Sequence, residues 1–158
     1  MDQLGHTFST HLEFEAQLRT LLARAQRRLQ MFDPDFALWH LGSAEVDGAL
    51  RRFLVGHGTI SLVAHQNSAL ERDCPRFMRL LKDFSHAIEC RVTGRGLRHL
   101  TDSFCIADDR HIVRRFHCGH MRGEAVFDAP GATQLSAERF GAVWLEAAPG
   151  LHASTLGL

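Results

Sequence analysis

The chain has 158 residues, 45% apolar and 23% charged, the length and balance of one globular domain with a real core. Eighteen basic against 18 acidic residues give zero formal charge, so no global field steers it toward nucleic acid. No apolar run nears the roughly 20 residues that cross a bilayer, and no basic-then-apolar export pattern opens the chain, so a cytoplasmic location is expected.

Composition also limits the chemistry. Lys82 is the only lysine among the 18 basic residues, so a mechanism that needs a lysine must use it. Eleven histidines supply acids, bases and metal ligands near neutral pH. Cys74, Cys90, Cys105 and Cys118 stand 13 to 16 positions apart with no CxxC pair, which argues against a disulfide framework or a zinc ribbon. No cofactor is implied.

A short extended piece at His6–Ser9 leads into a helix whose start carries a capping box, Thr10 with Glu13. Phe14, Leu18, Leu21, Leu22, Ala25 and Leu29 form its apolar stripe, with Arg19, Arg24, Arg27 and Arg28 mostly on the solvated face. A strand at Gln30–Phe32 is halted by Asp33-Pro34. Ser43 caps a second helix through Val46, Leu50, Phe53 and Leu54, closed by Gly56 and Gly58. Thr59–His65 is a buried strand, and a third helix begins near Asp73-Cys74-Pro75. Ala87–Val92 is the next strand. Ser103–Ala107 and His111–Phe116 then form a hairpin about Asp108-Asp109-Arg110, followed by a strand at Glu124–Phe127. A last helix runs from Thr133 to Ala148, and residues 151–158 form a tail expected to fray after a single domain at 1–150. Alternating strands and helices predict an α/β sandwich, its mixed sheet mostly parallel and flanked by helices.

Several segments, in the same order, resemble one half of the phospholipase D-like superfamily. Asp33 follows the second strand, LVAHQ (62–66) resembles a family strand ending in a polar turn, and SFCIADD (103–109) resembles the motif strand. RGEAVF (122–127) resembles the later glutamate strand, and Phe140 with Trp144 the closing F-x-x-x-W helix. The resemblance implies a helix-flanked sheet and phosphodiester chemistry through His-x-Lys-x4-Asp, with a histidine nucleophile, a phosphate-holding lysine and a fold-supporting aspartate. In this chain Thr101 stands at the histidine position, Ser103 at the lysine position and Asp108 at the aspartate position. Starting the motif at His99 instead puts Thr101 at the lysine position and Ile106 at the aspartate position. Lys82 lies on the third helix and cannot be the motif lysine. A catalytically degenerate module is the expected function, binding a phosphate-bearing small molecule, a protein partner or a second copy of itself. The alternative is a divergent phosphodiesterase or nuclease using His99 or His117, with Asp108 in support, completed by dimerisation. A purely structural subunit is a third reading.

The region from His99 to Glu124 is dense in groups that could line one groove, with His111, Arg114, Arg115, Arg122 and Glu124 the candidate ligand-binding residues and the guanidinium forks suited to an anion. Strand alternation puts His111, Val113 and Arg115 on one face and Ile112, Arg114 and Phe116 on the other. The alternative is a hairpin rim whose arginines pair with Asp108, Asp109 or Glu124. His117, Cys118 and His120 are closely spaced candidate metal ligands, with Cys118 also a candidate nucleophile. Asp33-Pro34-Asp35 is a candidate ligand corner or a capped turn. Trp39 beside it is a partner-facing aromatic or a lid on the core.

Overall fold

The computed structural model describes residues 4–151. Strand β1 (Leu4–Phe8) is followed by helix α1 (His11–Arg24), whose capping box is formed as expected: Glu13 N–H donates to Thr10 Oγ1 at 3.2 Å, and Thr10 N–H to Glu13 Oε1 at 3.1 Å. The Ser9 N–H, then the Thr10 hydroxyl and N–H, donate to the Glu13 carboxyl and hold it below its ordinary pKa. Four of the six predicted stripe residues, Phe14, Leu18, Leu21 and Leu22, are buried on α1.

The helix stops before Leu29, which belongs to β2 (Arg28–Phe32). The cause lies 80 residues away. Asp108 accepts from the N–H groups of Gln26 (2.9 Å), Arg27 (2.7 Å) and Arg28 (3.0 Å), taking donors that a continued helix would have turned back on itself. Arg27 and Arg28 are therefore not part of a helical face.

Helix α2 (Ala44–Val55) starts at Ser43, whose hydroxyl accepts from Val46 N–H at 3.2 Å, and ends at Gly56. Strand β3 (Thr59–Ala64) is followed by α3 (Ser68–Asp73), a short helix that no periodic stripe announced, and by α4 (Pro75–Asp83), with proline in its first turn. Then come β4 (Ile88–Val92), one 3₁₀ turn at Arg95–Leu97, β5 (Ser103–Ala107), β6 (His111–Arg115), β7 (Gly123–Phe127), α5 (Pro130–Glu146) and β8 (Ala148–Pro149). Asp108 (φ 57°) and Asp109 (φ 56°) are both left-handed in the turn joining β5 to β6, a conformation that aspartate tolerates better than most residues. Leu151 is buried in the core, and the rest of the expected tail, 152–158, lies outside the described residues.

One mixed sheet of eight strands runs β1-β7-β6-β5-β2-β3-β4-β8. Among the described residues only the β2–β3 and β3–β4 pairs are parallel, so the expectation of a mostly parallel sheet is corrected: the other five pairings are antiparallel. The reason is connectivity, since the β5–β6–β7 meander enters the sheet against β2. One face packs on α1, α2 and α4 through Phe14, Leu21, Leu50, Leu62 and Phe77, and the other on α5 through Phe104, Ile106, Ile112 and Phe140. Strand β5 is buried on both sides, which is why SFCIA is almost wholly apolar.

Strands β2, β3 and β4 all end at the same edge of the sheet, where β5 begins and β6 ends. The loops 33–43, 65–67, 93–102 and 116–122 therefore crowd one crevice at the carboxyl ends of the parallel strands, the usual ligand position in α/β sheets. Asp108 is at the opposite end of β5. Replacing it by alanine removes a charged acceptor from three backbone donors and is expected to lower unfolding free energy by about 2–3 kcal/mol, read as a reduced urea midpoint. Asp108→Asn, which keeps one acceptor oxygen and tolerates the left-handed backbone, should lose less.

Candidate functional site

At the crevice, Phe32 pairs with Phe104 and Ser103 with Arg115, so Asp33, Ser103 and Arg115 come together. Arg115 Nη2 donates to Asp33 Oδ1 at 2.7 Å, with both side chains only 2% exposed. Its Nε donates to Ser103 Oγ at 3.2 Å and its Nη1 to the Cys118 carbonyl at 3.1 Å, while the guanidinium lies 5.6 Å from the Phe14 ring centre. The other oxygen of Asp33 accepts from the N–H groups of Asp35 (3.1 Å) and Phe36 (2.7 Å). Asp33-Pro34-Asp35 is thus a capped turn. The Ser103 hydroxyl is taken by an arginine that is itself engaged by Asp33 and the Cys118 carbonyl.

The candidate anion ligands do not share one groove. The predicted alternation holds: Arg115 packs toward α1, and Arg114 projects from the other face. There Arg114 grips Glu124 through Nε and Nη2, each 2.8 Å from Oε2. His111 and Asp108 lie at the far end of β6 and β5. His111 Nδ1 accepts from Asp128 N–H at 3.0 Å, and burial lowers the imidazole pKa. Arg122 is exposed on the β6–β7 loop and makes no salt bridge among the described residues.

His99 and His117 are both exposed, on separate loops that are stitched by a bond from Cys118 N–H to the Thr101 carbonyl, 2.9 Å. His117, Cys118 and His120 do not converge as metal ligands. The imidazoles stack 5.8 Å apart, and each Nδ1 is taken within its own turn, by Gly119 N–H and by Arg122 N–H. Burial raises the Cys118 thiol pKa, which disfavours the thiolate a nucleophile requires. Trp39 is 1% exposed and lies over the core.

One site residue carried no role in the sequence. His65, just past β3, has Nε2 2.8 Å from the Leu100 carbonyl and Nδ1 2.6 Å from Thr93 Oγ1. Because a carbonyl only accepts, Nε2 carries the proton. This imidazole ties β3 to the loop leading into the motif strand. Its place at the end of LVAH was the only signal.

The family model that matches residues 10–154 is described as a Domain of unknown function, DUF7931. The chain belongs to the DUF7931 family. No match is found among curated proteins. Among solved structures it resembles Nuc, a phospholipase D family member from Salmonella typhimurium, with TM-score 0.68 at 12% identity over 94% of this chain and 98% of that one. NucT from Helicobacter pylori is similar, with TM-score 0.67 at 8% identity over 94% and 99%. The archaeal chromatin protein TrmBL2 gives TM-score 0.69 at 12% identity over 92% of this chain, which spans 53% of TrmBL2. At these identities the likeness is one of fold, and this DUF7931 chain has the phospholipase D fold.

Removing either member of the buried pair leaves its partner charged and desolvated, and each single substitution is expected to cost about 3–5 kcal/mol. Asp33→Ala should lie at the upper end, because it also frees the Asp35 and Phe36 N–H groups; urea unfolding of Asp33→Ala and Arg115→Met compares them. His111 gives a pH signature. With its folded pKa depressed, the unfolded chain takes up the proton first, so stability falls as pH drops below the ordinary value of 6.5 and levels off below the folded value. The slope over that window should shrink in His111→Gln, measured by urea midpoints across the pH series.

Proposed function

We propose that this chain is a non-catalytic module of the phospholipase D fold that binds a phosphate-bearing anion on the loop rim above a plugged crevice. The observation that carries the first half is the Asp33–Arg115 pair. Phosphoryl transfer needs a cation free to meet charge developing on the phosphate oxygens. Here the cation at the crevice is neutralised, and the lysine-position hydroxyl of Ser103 is hydrogen-bonded to it. Thr101, at the nucleophile position, is a poor substitute for histidine. Lys82 lies on α4, away from the motif strand.

The rim supports the second half. The loops 93–102 and 116–122 carry Arg95, Arg98, His99, His117, His120 and Arg122, their one carboxylate, Asp102, is paired with Arg139, and the Cys118–Thr101 bond holds them side by side. Guanidinium forks there would take phosphate oxygens bidentately. A chromatin protein, TrmBL2, has the same fold, so the fold is compatible with a role in binding. The stitched loops also bring forward the second reading, a divergent phosphodiesterase using His99 or His117.

Hydrolysis of an aryl phosphodiester separates the two. Wild type is expected to give no turnover above buffer, with or without EDTA; turnover abolished by His99→Ala or His117→Ala establishes the enzyme instead. In the same preparation, pyrophosphate titrated by calorimetry should bind wild type at least tenfold more tightly than an Arg95→Ser/Arg98→Ser/Arg122→Ser variant. Equal binding by the two would remove the anion-binding rim.

A further inference from the structure

A second cluster stands apart from the crevice plug. His11 and Glu15 are one turn apart on α1, and the loop that follows β2 brings His40 against them. Glu15 Oε1 is 2.5 Å from His40 Nδ1 and 3.6 Å from His11 Nε2, and one ligand atom from each residue lies within 4.8 Å of the other two. The two imidazoles meet edge to face, 4.9 Å between ring centres at 88°. Among the described residues, no other group of three such side chains is this close.

We propose that His11, Glu15 and His40 bind a divalent transition-metal ion, zinc foremost, which fastens the loop 33–43 to α1. Two imidazoles and a carboxylate are a borderline-soft donor set, suited to zinc and unsuited to calcium or magnesium, which prefer all-oxygen sites. The geometry needs little change. Tetrahedral ligands at roughly 2.0–2.2 Å from zinc stand about 3.3 Å from one another, so the His40–Glu15 contact opens by under 1 Å, the His11–Glu15 contact tightens slightly, and the His11 and His40 ligand atoms, within 4.8 Å, close by up to about 1.5 Å.

The protons balance as well. In the metal-free site His40 Nδ1–H donates to the carboxylate, and His11 Nε2–H donates to the Leu38 carbonyl at 3.0 Å. On binding, each neutral ring moves its proton to the other nitrogen and presents a lone pair, so the carboxylate and two imidazoles bind with no net proton loss. The Leu38 carbonyl then remains as a nearby oxygen.

A neighbouring cleft favours a built site over a chance contact. Beside the cluster, Glu15, Trp39 and His40 line a cleft of about 220 Å³, and the buried Trp39 Nε1 has no hydrogen-bond acceptor. A metal-bound water or anion in that cleft would supply one.

Zinc titrated into the metal-free protein by calorimetry, with cobalt as a spectroscopic substitute, tests the site. Wild type should bind one equivalent saturably, with a cobalt d–d spectrum of tetrahedral type. His40→Ala and Glu15→Gln should weaken binding at least tenfold, whereas a His117→Ala/His120→Ala control should not. Glu15→Gln keeps the side chain's shape and a hydrogen bond, and circular dichroism confirms that each variant is folded. Absence of saturable binding, equal affinity in His40→Ala and Glu15→Gln, or loss in the His117/His120 control would each overturn the proposal. None of these results bears on the anion rim, which is tested by pyrophosphate.

Discussion

The buried ion pair between Asp33 and Arg115 constrains more of the crevice than any other contact. Desolvating a carboxylate and a guanidinium is costly, and the cost is offset only when every donor and lone pair finds a partner. Here the guanidinium spreads its donors over Asp33, Ser103 and the Cys118 carbonyl, while Asp33 accepts from two backbone N–H groups as well. The pair thereby joins the end of β2, the start of β5, the end of β6 and the loop beyond it. Close approach of the chains is part of the same arrangement. Opposite Arg115 stands Gly123, where even a Cβ would come within 2.0 Å of the Arg114 carbonyl oxygen. An arrangement this saturated is rigid and locally neutral.

Asp108 carries a separate structural duty at the other end of β5. Its carboxylate faces the α1–β2 junction, whereas Ser103 and Thr101 lie at the other end of a five-residue strand, roughly 14–17 Å away. The aspartate serves the backbone at one end, and Ser103 meets the buried ion pair at the other, so the two ends are held independently. With three N–H groups on one carboxylate, Asp108 both terminates α1 and anchors the hairpin, independently of what fills the crevice.

Much of the fold was legible because local chemistry decided it. The Thr10–Glu13 box, the Ser43 cap, Pro75 in a first turn and the period-two alternation of β6 all depend on residues within a few positions of one another. What was not legible depended on distance in sequence. The end of α1 is set by Asp108; β8 exists because two residues, Ala148 and Pro149, meet the edge of β4; and α3 has six residues and no side-chain cap. The antiparallel half of the sheet follows from where the meander enters, which periodicity does not encode. At the site, alternation correctly separated Arg114 from Arg115, and Glu124 was among the partners weighed. That Arg115 would find Asp33, 82 residues earlier, was beyond local reasoning.

The same pair reaches the histidine cluster through one loop. Asp33 fixes the turn at Asp35 and Phe36, Phe36 enters the left-handed region at φ 61°, and its ring packs 4.7 Å from Trp39, which in turn meets Phe14 at 6.0 Å. Phe14 is also the ring beneath the Arg115 guanidinium. Trp39 is pinned between α1 and the turn, His40 beside it meets Glu15, and Ser43 then opens α2 three residues later. Loss of the ion pair would therefore loosen the aim of His40 as well as the crevice. Loss of the His40–Glu15 contact, exposed at the loop's outer edge, would leave the buried pair intact. The coupling runs from core to rim because the rigid element is inside, and a ligand at the rim can tighten the loop without being needed to fold it.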